Sequence, residues 1–429
     1  MNKEQPTPAS WIKKDLCGVA AVIDPHPSHR APDAVDRGIP FAGIGDLSED
    51  GKLDVEKARI VSADIFEEHS KRYTISSNTI GFGRVATIGK VINFSNPEST
   101  FTVSPTLAII EPNSDQVRDY ILYVLQGQYI GKQIDGWLTG STRSSLGIDL
   151  LRKLSIYFPD KKAQTEIAKI LSTIDQLIEK TQALIDKHTA IKQGMMADLF
   201  TRGIDLETGQ LRPPVEQAPH LYKETELGWL PKSWNVVPFF EVADIIDPQP
   251  DHRTPPESEN GISYIGISDF LPDGTLDLEG SRKVVVRAYN KQRKRFLVDK
   301  DDIIFGKIGT IGEPKFLNKK EGFALSANIV LIKPKVESEY ILSYLESNIF
   351  QAQVKLSTNT TSQPALGIEK IRQFKILKAT DDEISRMNLI LENIRHKQKT
   401  QEKYLAKLNM KKNGLMQDLL TGKVTVGNN

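Results

Sequence analysis

The 429-residue sequence holds a single cysteine, Cys17, which excludes an internal disulfide and a cysteine-based zinc site. Nowhere does it carry an apolar run near the ~18 residues that a membrane span needs. The polar stretch Met1 to Ser10 lacks the apolar centre of a secretory signal. A soluble, cytoplasmic protein is expected. Excess charge of one sign is missing too. Lys and Arg number 56 against 55 Asp and Glu, a net charge of +1, so a histone-like or polybasic protein is excluded. Any nucleic-acid site must then be a local patch, or be shared with a partner.

Catalytic signatures are also scarce. No Walker loop and no Asn-Pro-Pro-aromatic motif of an amino-methyltransferase occurs, since Asn96-Pro97-Glu98 lacks the second proline. Gly81-Phe82-Gly83-Arg84-Val85-Ala86 mimics a dinucleotide-binding glycine pattern, but its repeat mate has Ile304 in place of the first glycine. A tight turn between strands explains it better. Pro159-Asp160 with Glu166 and Lys169 lacks the Glu-x-Lys spacing of a nuclease and reads as acids at a helix start. His29 and His252 have no further ligands at metal spacing. His188 reads as a packed register residue. Cys17, aligned with Phe240, reads as a core residue.

What is present is a duplication. At an offset of 223, Trp11 matches Trp234, Asp24-Pro25 matches Asp247-Pro248, and His29-Arg30 matches His252-Arg253. Lys71-Arg72-Tyr73 matches Lys294-Arg295-Phe296, and Gly83-Arg84 matches Gly306-Lys307 at the same offset. Later the offset becomes 220: Tyr120-Ile121-Leu122 matches Tyr340-Ile341-Leu342, and Leu146-Gly147-Ile148 matches Leu366-Gly367-Ile368. Two repeats this long are copies of a whole module rather than turns of a solenoid.

Each copy opens with β-type runs (Thr79–Phe82, Thr106–Ile110, Asn328–Ile332) set between Gly, Pro and Asp turns. Short helices are expected at Gln116–Gln126 and Tyr340–Asn348. Each copy closes on a long helix, about 163–200 and 383–420. In the first, Ile167, Ile174, Thr181, His188 and Met195 recur every seven residues, with Ile170, Leu177, Leu184 and Ile191 as the companion row. In the second, Met387, Ile394, Gln401, Leu408 and Leu415 form one row, and Ile390, Lys397, Tyr404 and Lys411 the other. These seams predict a coiled coil. The two helices are expected to pair antiparallel with each other as a strut of about 57 Å at ~1.5 Å per residue, the alternative being that each packs on its own globular domain.

This order of mixed module, long helix, mixed module and long helix resembles the specificity (S) subunit of type I restriction–modification systems. The local motifs carry the same resemblance. Gly228-Trp229-Leu230-Pro231-Lys232-Ser233-Trp234 looks like the family's entry into a target-recognition domain. Asp302-Ile303-Ile304-Phe305-Gly306-Lys307-Ile308-Gly309-Thr310-Ile311-Gly312 looks like its strand-turn-strand segment. Lys412-Asn413-Gly414-Leu415-Met416-Gln417-Asp418-Leu419-Leu420-Thr421-Gly422-Lys423-Val424 looks like its closing helix. The first copy departs from the pattern by starting at Trp11 without a Gly-Trp-Leu-Pro lead-in.

The resemblance implies an α+β fold. Two homologous mixed α/β target-recognition domains would be separated by two long antiparallel coiled-coil helices, in a pseudo-two-fold molecule. The expected boundaries are target-recognition domain 1 at 1–160, central helix 161–204, linker 205–232, target-recognition domain 2 at 233–380, and C-terminal helix and tail 381–429. It further implies a non-catalytic subunit that reads a bipartite site in double-stranded DNA with a fixed gap. Methylation and cleavage would be directed to partner chains: two methylase (M) subunits, joined by restriction (R) subunits. The cofactors S-adenosylmethionine, ATP and Mg would sit on those partners. The competing readings are an enzyme that itself cuts or modifies nucleic acid, and a duplicated protein-binding scaffold.

Base readout needs polar side chains at base edges, while Lys and Arg hold phosphates. Three pairs of places qualify. The first is Ser28, His29 and Arg30, with His252 and Arg253. The second is Lys71, Arg72 and Arg84, with Lys294, Arg295 and Lys307. The third is Ser141, Thr142 and Arg143, with Thr360, Ser362 and Gln363. Arg143 suits bidentate contact with guanine, and Gln363 with adenine. The alternative for any one of them is an ordinary solvated turn.

Overall fold

The computed structural model describes residues 8–26, 31–94, 100–138, 145–251, 253–271, 274–358 and 365–426. Two compact units divide the chain: Met1–Lys180 with Ala406–Asn429, and Thr181–Leu405. Among the described residues no helix is long and apolar enough to cross a membrane.

The duplication is legible strand by strand. Unit 1 has a four-stranded antiparallel sheet in the spatial order Ala20–Ile23, Leu107–Pro112, Ile80–Gly83, Val91–Asn93. A smaller sheet runs Arg59–Val61, Ile39–Ala42, Thr102–Val103, its last pair parallel. Unit 2 repeats both orders, with Ala243–Ile246, Ile329–Pro334, Ile303–Gly306, Pro314–Phe316, and with Lys283–Val284, Glu257–Ile265, Phe323–Leu325. A further strand pair closes each module, Ile12–Asp15 with Ser155–Phe158 and Asn235–Pro238 with Lys375–Lys378. Helices Arg118–Gln126 and Ser338–Glu346 also correspond.

Strand periodicity of two places each four-stranded sheet between two cores. Ala108 and Ile110 face a core shared with the helix Arg118–Gln126 and with Ile167 and Leu171 of the long helix. Leu107 and Ile109 face a second core shared with the smaller sheet. In unit 2, Val330 and Ile332 take the first side, Ile329 and Leu331 the second. Burial on both faces explains why the central strands read as unbroken apolar runs. The turns that follow the strands, Thr87-Ile88-Gly89 and Thr310-Ile311-Gly312, each end on a glycine at φ 86°, a left-handed conformation that a side chain would strain. Gly81 and Gly83 of the glycine pattern lie in the strand Ile80–Gly83, and the tight turn to Val91–Asn93 follows them.

The long helices span Lys161–Arg202 and Asp381–Leu420. Inside unit 2 they run antiparallel. Gln398 Nε2 approaches Thr189 Oγ1 at 3.4 Å, and fifteen residues on, the Ile204 amide donates to Glu383 Oε1 at 2.7 Å, fifteen residues back. In unit 1, Lys412 pairs with Asp175 at 2.7 Å.

The seam differs from expectation in one row. Ile167 and Ile174 are buried as expected, Ile170 is half-buried, and Leu408 is buried. Leu177, Leu184 and Ile191, however, are 42%, 37% and 46% exposed, and Tyr404 is 46% exposed. Ile390 and Ile394 are only half-buried. The buried companions lie one residue later, at Leu171, Ile185 and Leu199 in the first helix and Leu391 and Leu419 in the second. Each helix thus packs by steps of four from the first row. The seven-residue repeat is kept, with its steps of three and four in the other order, because the helix face must also meet the globular core of its module.

Two smaller corrections concern neighbours. Cys17 is exposed, and so is its mate Phe240. The core positions are Leu16 and Phe239, one residue earlier in each copy and fully buried. The segment after the first long helix carries a two-stranded sheet, Tyr222–Thr225 with Gly228–Pro231.

Candidate nucleic-acid interface

The strands Ala20–Ile23 and Ile80–Gly83 both run antiparallel to the central strand Leu107–Pro112, so they leave the sheet at the same end. Asp24 follows the first and Arg84 the second. One strand stands between them, which at ~4.8 Å per strand separates their backbones by roughly 10 Å. Only a long cationic side chain bridges that gap to a carboxylate. Arg84 does so, its NH1 donating to Asp24 Oδ2 at 3.0 Å. In unit 2, Asp247 and Lys307 occupy the same strand ends, with Lys307 Nζ at 2.7 Å from Asp247 Oδ2. Both cations are buried, Arg84 8% and Lys307 2% exposed.

These contacts correct the expectation for Arg84 and Lys307. They are interior ion pairs rather than free phosphate contacts, because each finds its acid 60 residues away, at the end of the strand next but one.

Around each pair the described flanks of the candidate segments converge. The Arg72 guanidinium donates to the Asp24 carbonyl at 3.0 Å. Arg295 donates to the carbonyls of Asp247 and Pro248 at 3.0 and 3.2 Å. The acid's other oxygen caps its own turn, accepting from the His26 amide in unit 1 and the Gln249 amide in unit 2. The third segment joins through backbone: the Leu146 amide donates to the Arg84 carbonyl at 2.7 Å, and the Leu366 amide to the Lys307 carbonyl at 2.9 Å. Arg84 Nε adds a bond to the Leu146 carbonyl at 3.2 Å. In each module, segments more than a hundred residues apart in sequence thus meet at one end of the sheet.

Lys71, Arg72, Arg253, Lys294 and Arg295 are exposed. Lys291 of the helix Val286–Arg293 pairs with Asp251 at 2.9 Å. Ser28, His29, Arg30, Ser141, Thr142, Arg143, His252, Thr360, Ser362 and Gln363 lie outside the described residues. Among the described residues no cluster of three or more His, Cys, Asp or Glu could hold a metal.

Beneath the loops lie residues that the sequence reading did not single out. In unit 1, His26 Nδ1 and His69 Nε2 are 2.8 Å apart. His69 Nδ1 meets Thr102 Oγ1, which lies 2.7 Å from the Tyr73 hydroxyl. Burial chiefly, then the neighbouring His26, holds the His69 imidazole below its ordinary range, and burial raises the Tyr73 phenol. In unit 2 the same positions are Gln249 and Gln292. Gln292 closes both its amide bonds on the Leu325 backbone at 2.8 Å. The signal that would have found the ion pairs was present: an acid and a cation at the same spacing in both copies.

Comparison with known proteins fits this geometry. The family model described as type I restriction modification DNA specificity domain matches residues 14–187 and 231–379. The putative type I restriction enzyme MjaX specificity subunit of Methanocaldococcus jannaschii is 26% identical, covering 98% of this chain and 95% of that protein. The MjaVIII specificity subunit of the same organism is 24% identical over 76% of this chain and 75% of its own length. The crystal structure of a type I restriction–modification S subunit from M. genitalium superposes with a TM-score of 0.57 at 14% identity, covering 98% of both chains. With the family model covering well over half of the sequence in two matched stretches, the chain belongs to the type I restriction–modification DNA specificity family.

Proposed function

We propose that this chain, a type I restriction–modification specificity subunit, reads a split target in double-stranded DNA, one half with each module, and that the chemistry belongs to partner chains. The observation that carries the proposal is the paired convergence of three segments at one end of each four-stranded sheet. It supplies two homologous reading heads whose side chains differ, so the half-sites differ. The two modification subunits would bring S-adenosylmethionine and the amino-methylation, and restriction subunits would bring ATP, Mg and cleavage. The near-neutral charge supports a shared phosphate grip, since sequence-independent affinity grows with the number of Lys and Arg on the backbone.

Single-molecule methylation mapping of DNA exposed to the assembled complex tests this reading. A motif of two short halves with a gap of about 5–9 bp is expected, by analogy with paired readers near 10 bp centre to centre. Replacing residues 11–158 with the corresponding module of another family member is expected to change one half-site and leave the other. A change in both, or a contiguous motif, would reject the modular reading. Removing one heptad from the first long helix is expected to alter the gap or abolish recognition without changing either half's bases.

A further inference from the structure

We infer that Asp24–Arg84 and Asp247–Lys307 are positioning pairs, each fixing the reading segments of its own module and therefore governing one half-site only. The inference rests on the DNA-reading function proposed above.

Stability alone gives little reason for these pairs. A buried ion pair is a weak net stabiliser, and two apolar side chains of similar shape would serve the fold as well. What the pair supplies is direction. The carboxylate takes the cation on one oxygen and caps its own turn with the other, through the His26 or Gln249 amide. Its carbonyl takes Arg72 or Arg295. The cation's own backbone holds the third segment at Leu146 or Leu366. Removing the pair frees the first segment from the third while leaving both sheets and both cores intact. The two copies keep this arrangement although the residues packed beneath it differ, His26 and His69 against Gln249 and Gln292. They also solve it differently. Arg84 bonds both Asp24 and the Leu146 carbonyl, whereas Lys307, among the described residues, reaches Asp247 and leaves the third segment to backbone bonds.

The test is selection from a random duplex pool by the full chain, alone and with its modification subunits, followed by sequencing of the bound DNA. Thermal unfolding of each variant runs alongside. The wild-type chain must first enrich a split motif. If it does not, the DNA-reading function fails, and the failure is not one of the pairs. Asp24→Ala combined with Arg84→Met removes both charges and strands neither. It is expected to weaken base preference about tenfold or more, the scale of one or two mismatched pairs, in one half only. Asp247→Ala with Lys307→Met is expected to do the same to the other half. Arg84→Lys, which installs the second module's solution, is expected to keep both halves. Should a double variant unfold, Asp24→Asn with Arg84→Gln, or Asp247→Asn with Lys307→Gln, gives the same readout while keeping polar groups at both positions and leaving no charge unpaired. The inference is overturned if folded variants keep wild-type preference in both halves. It is equally overturned if both halves are lost together, or if Arg84→Lys is as damaging as the double change.

Discussion

Below matched loops the two modules carry different interiors, and the long helices dock on them by different means. In unit 2, Glu383 is fully buried and gathers Arg212, the Trp234 indole N–H and the Ile204 amide. Further along the helices, Arg395 and Lys192 bring two cations to Glu346 of the module, and Arg395 also meets Glu339. Burial pulls the Glu346 carboxyl up, but the two cations outweigh it and hold it below the usual range. In unit 1 the residue matching Glu383 is Ala163, and the residue matching Arg395 is Asp175, which accepts from Tyr123 and pairs with Lys412. One backbone plan therefore admits a dense charged junction or a sparse one. The junction is a local solution, while the strand-end ion pair is common to both.

Deleting the hub should break this comparison most visibly. Glu383→Ala leaves Arg212 without its carboxylate and the Trp234 and Ile204 donors unmet. Removing one partner of a buried pair costs roughly 3–5 kcal/mol. Hydrogen exchange read separately in the two units should show unit 2 loosened and unit 1 unchanged. Equal protection in both units would mean that the junction is not specific to unit 2.

A medium effect should separate the two rows of the first long helix. Ile185 is buried and Leu184 is its exposed neighbour. Ile185→Ala should cost about 2–4 kcal/mol, and Leu184→Ala under about 1 kcal/mol. Chemical unfolding of both variants checks the order. The reverse order would restore the three-residue spacing of the seam.

That seam shows where the sequence runs out. The first row was legible because a seven-residue repeat needs only one apolar position per two turns. The companion row was not, because Ile170 and Leu171, Leu177 and Ile178, and Leu184 and Ile185 are adjacent apolar pairs, and only tertiary contact selects between them. The duplication, the mixed modules and the helix extents followed from repeat offsets and turn chemistry. Arg84 and Lys307 were misjudged for a different reason. A cation among Gly and Thr reads as exposed, and its burial depends on an acid two strands away in space. Leu16 and Cys17 differ by one residue, and no local pattern in a short 3-10 turn says which points inward.

The smallest expected effect concerns the polar pairs under the first loops. At 2.8 Å, only one N–H fits between His26 Nδ1 and His69 Nε2, so a pair carrying protons on both facing nitrogens is disfavoured. Burial first, then His26 and least of all Arg72, depress the His69 imidazole, against an opposing pull from Glu68 that outranks Arg72; Tyr73 and Thr102 complete its surroundings. With its folded-state pKa below the unfolded value of 6.5, His69 binds a proton more readily in the unfolded chain. Its contribution to the stability of unit 1 is therefore present above about pH 6.5 and is lost as pH falls through the folded-state value. The slope cannot exceed about 1.4 kcal/mol per pH unit for one proton. Unit 2, with neutral Gln249 and Gln292 at these positions, has no such term. Unfolding followed by hydrogen exchange between pH 7.5 and 5.5 should show unit 1 losing more protection than unit 2 as the medium is acidified. His26→Gln with His69→Gln, which copies the second module, should remove the difference. If the double variant keeps the acid sensitivity, its source lies elsewhere in unit 1, and the histidines are only a packed polar contact.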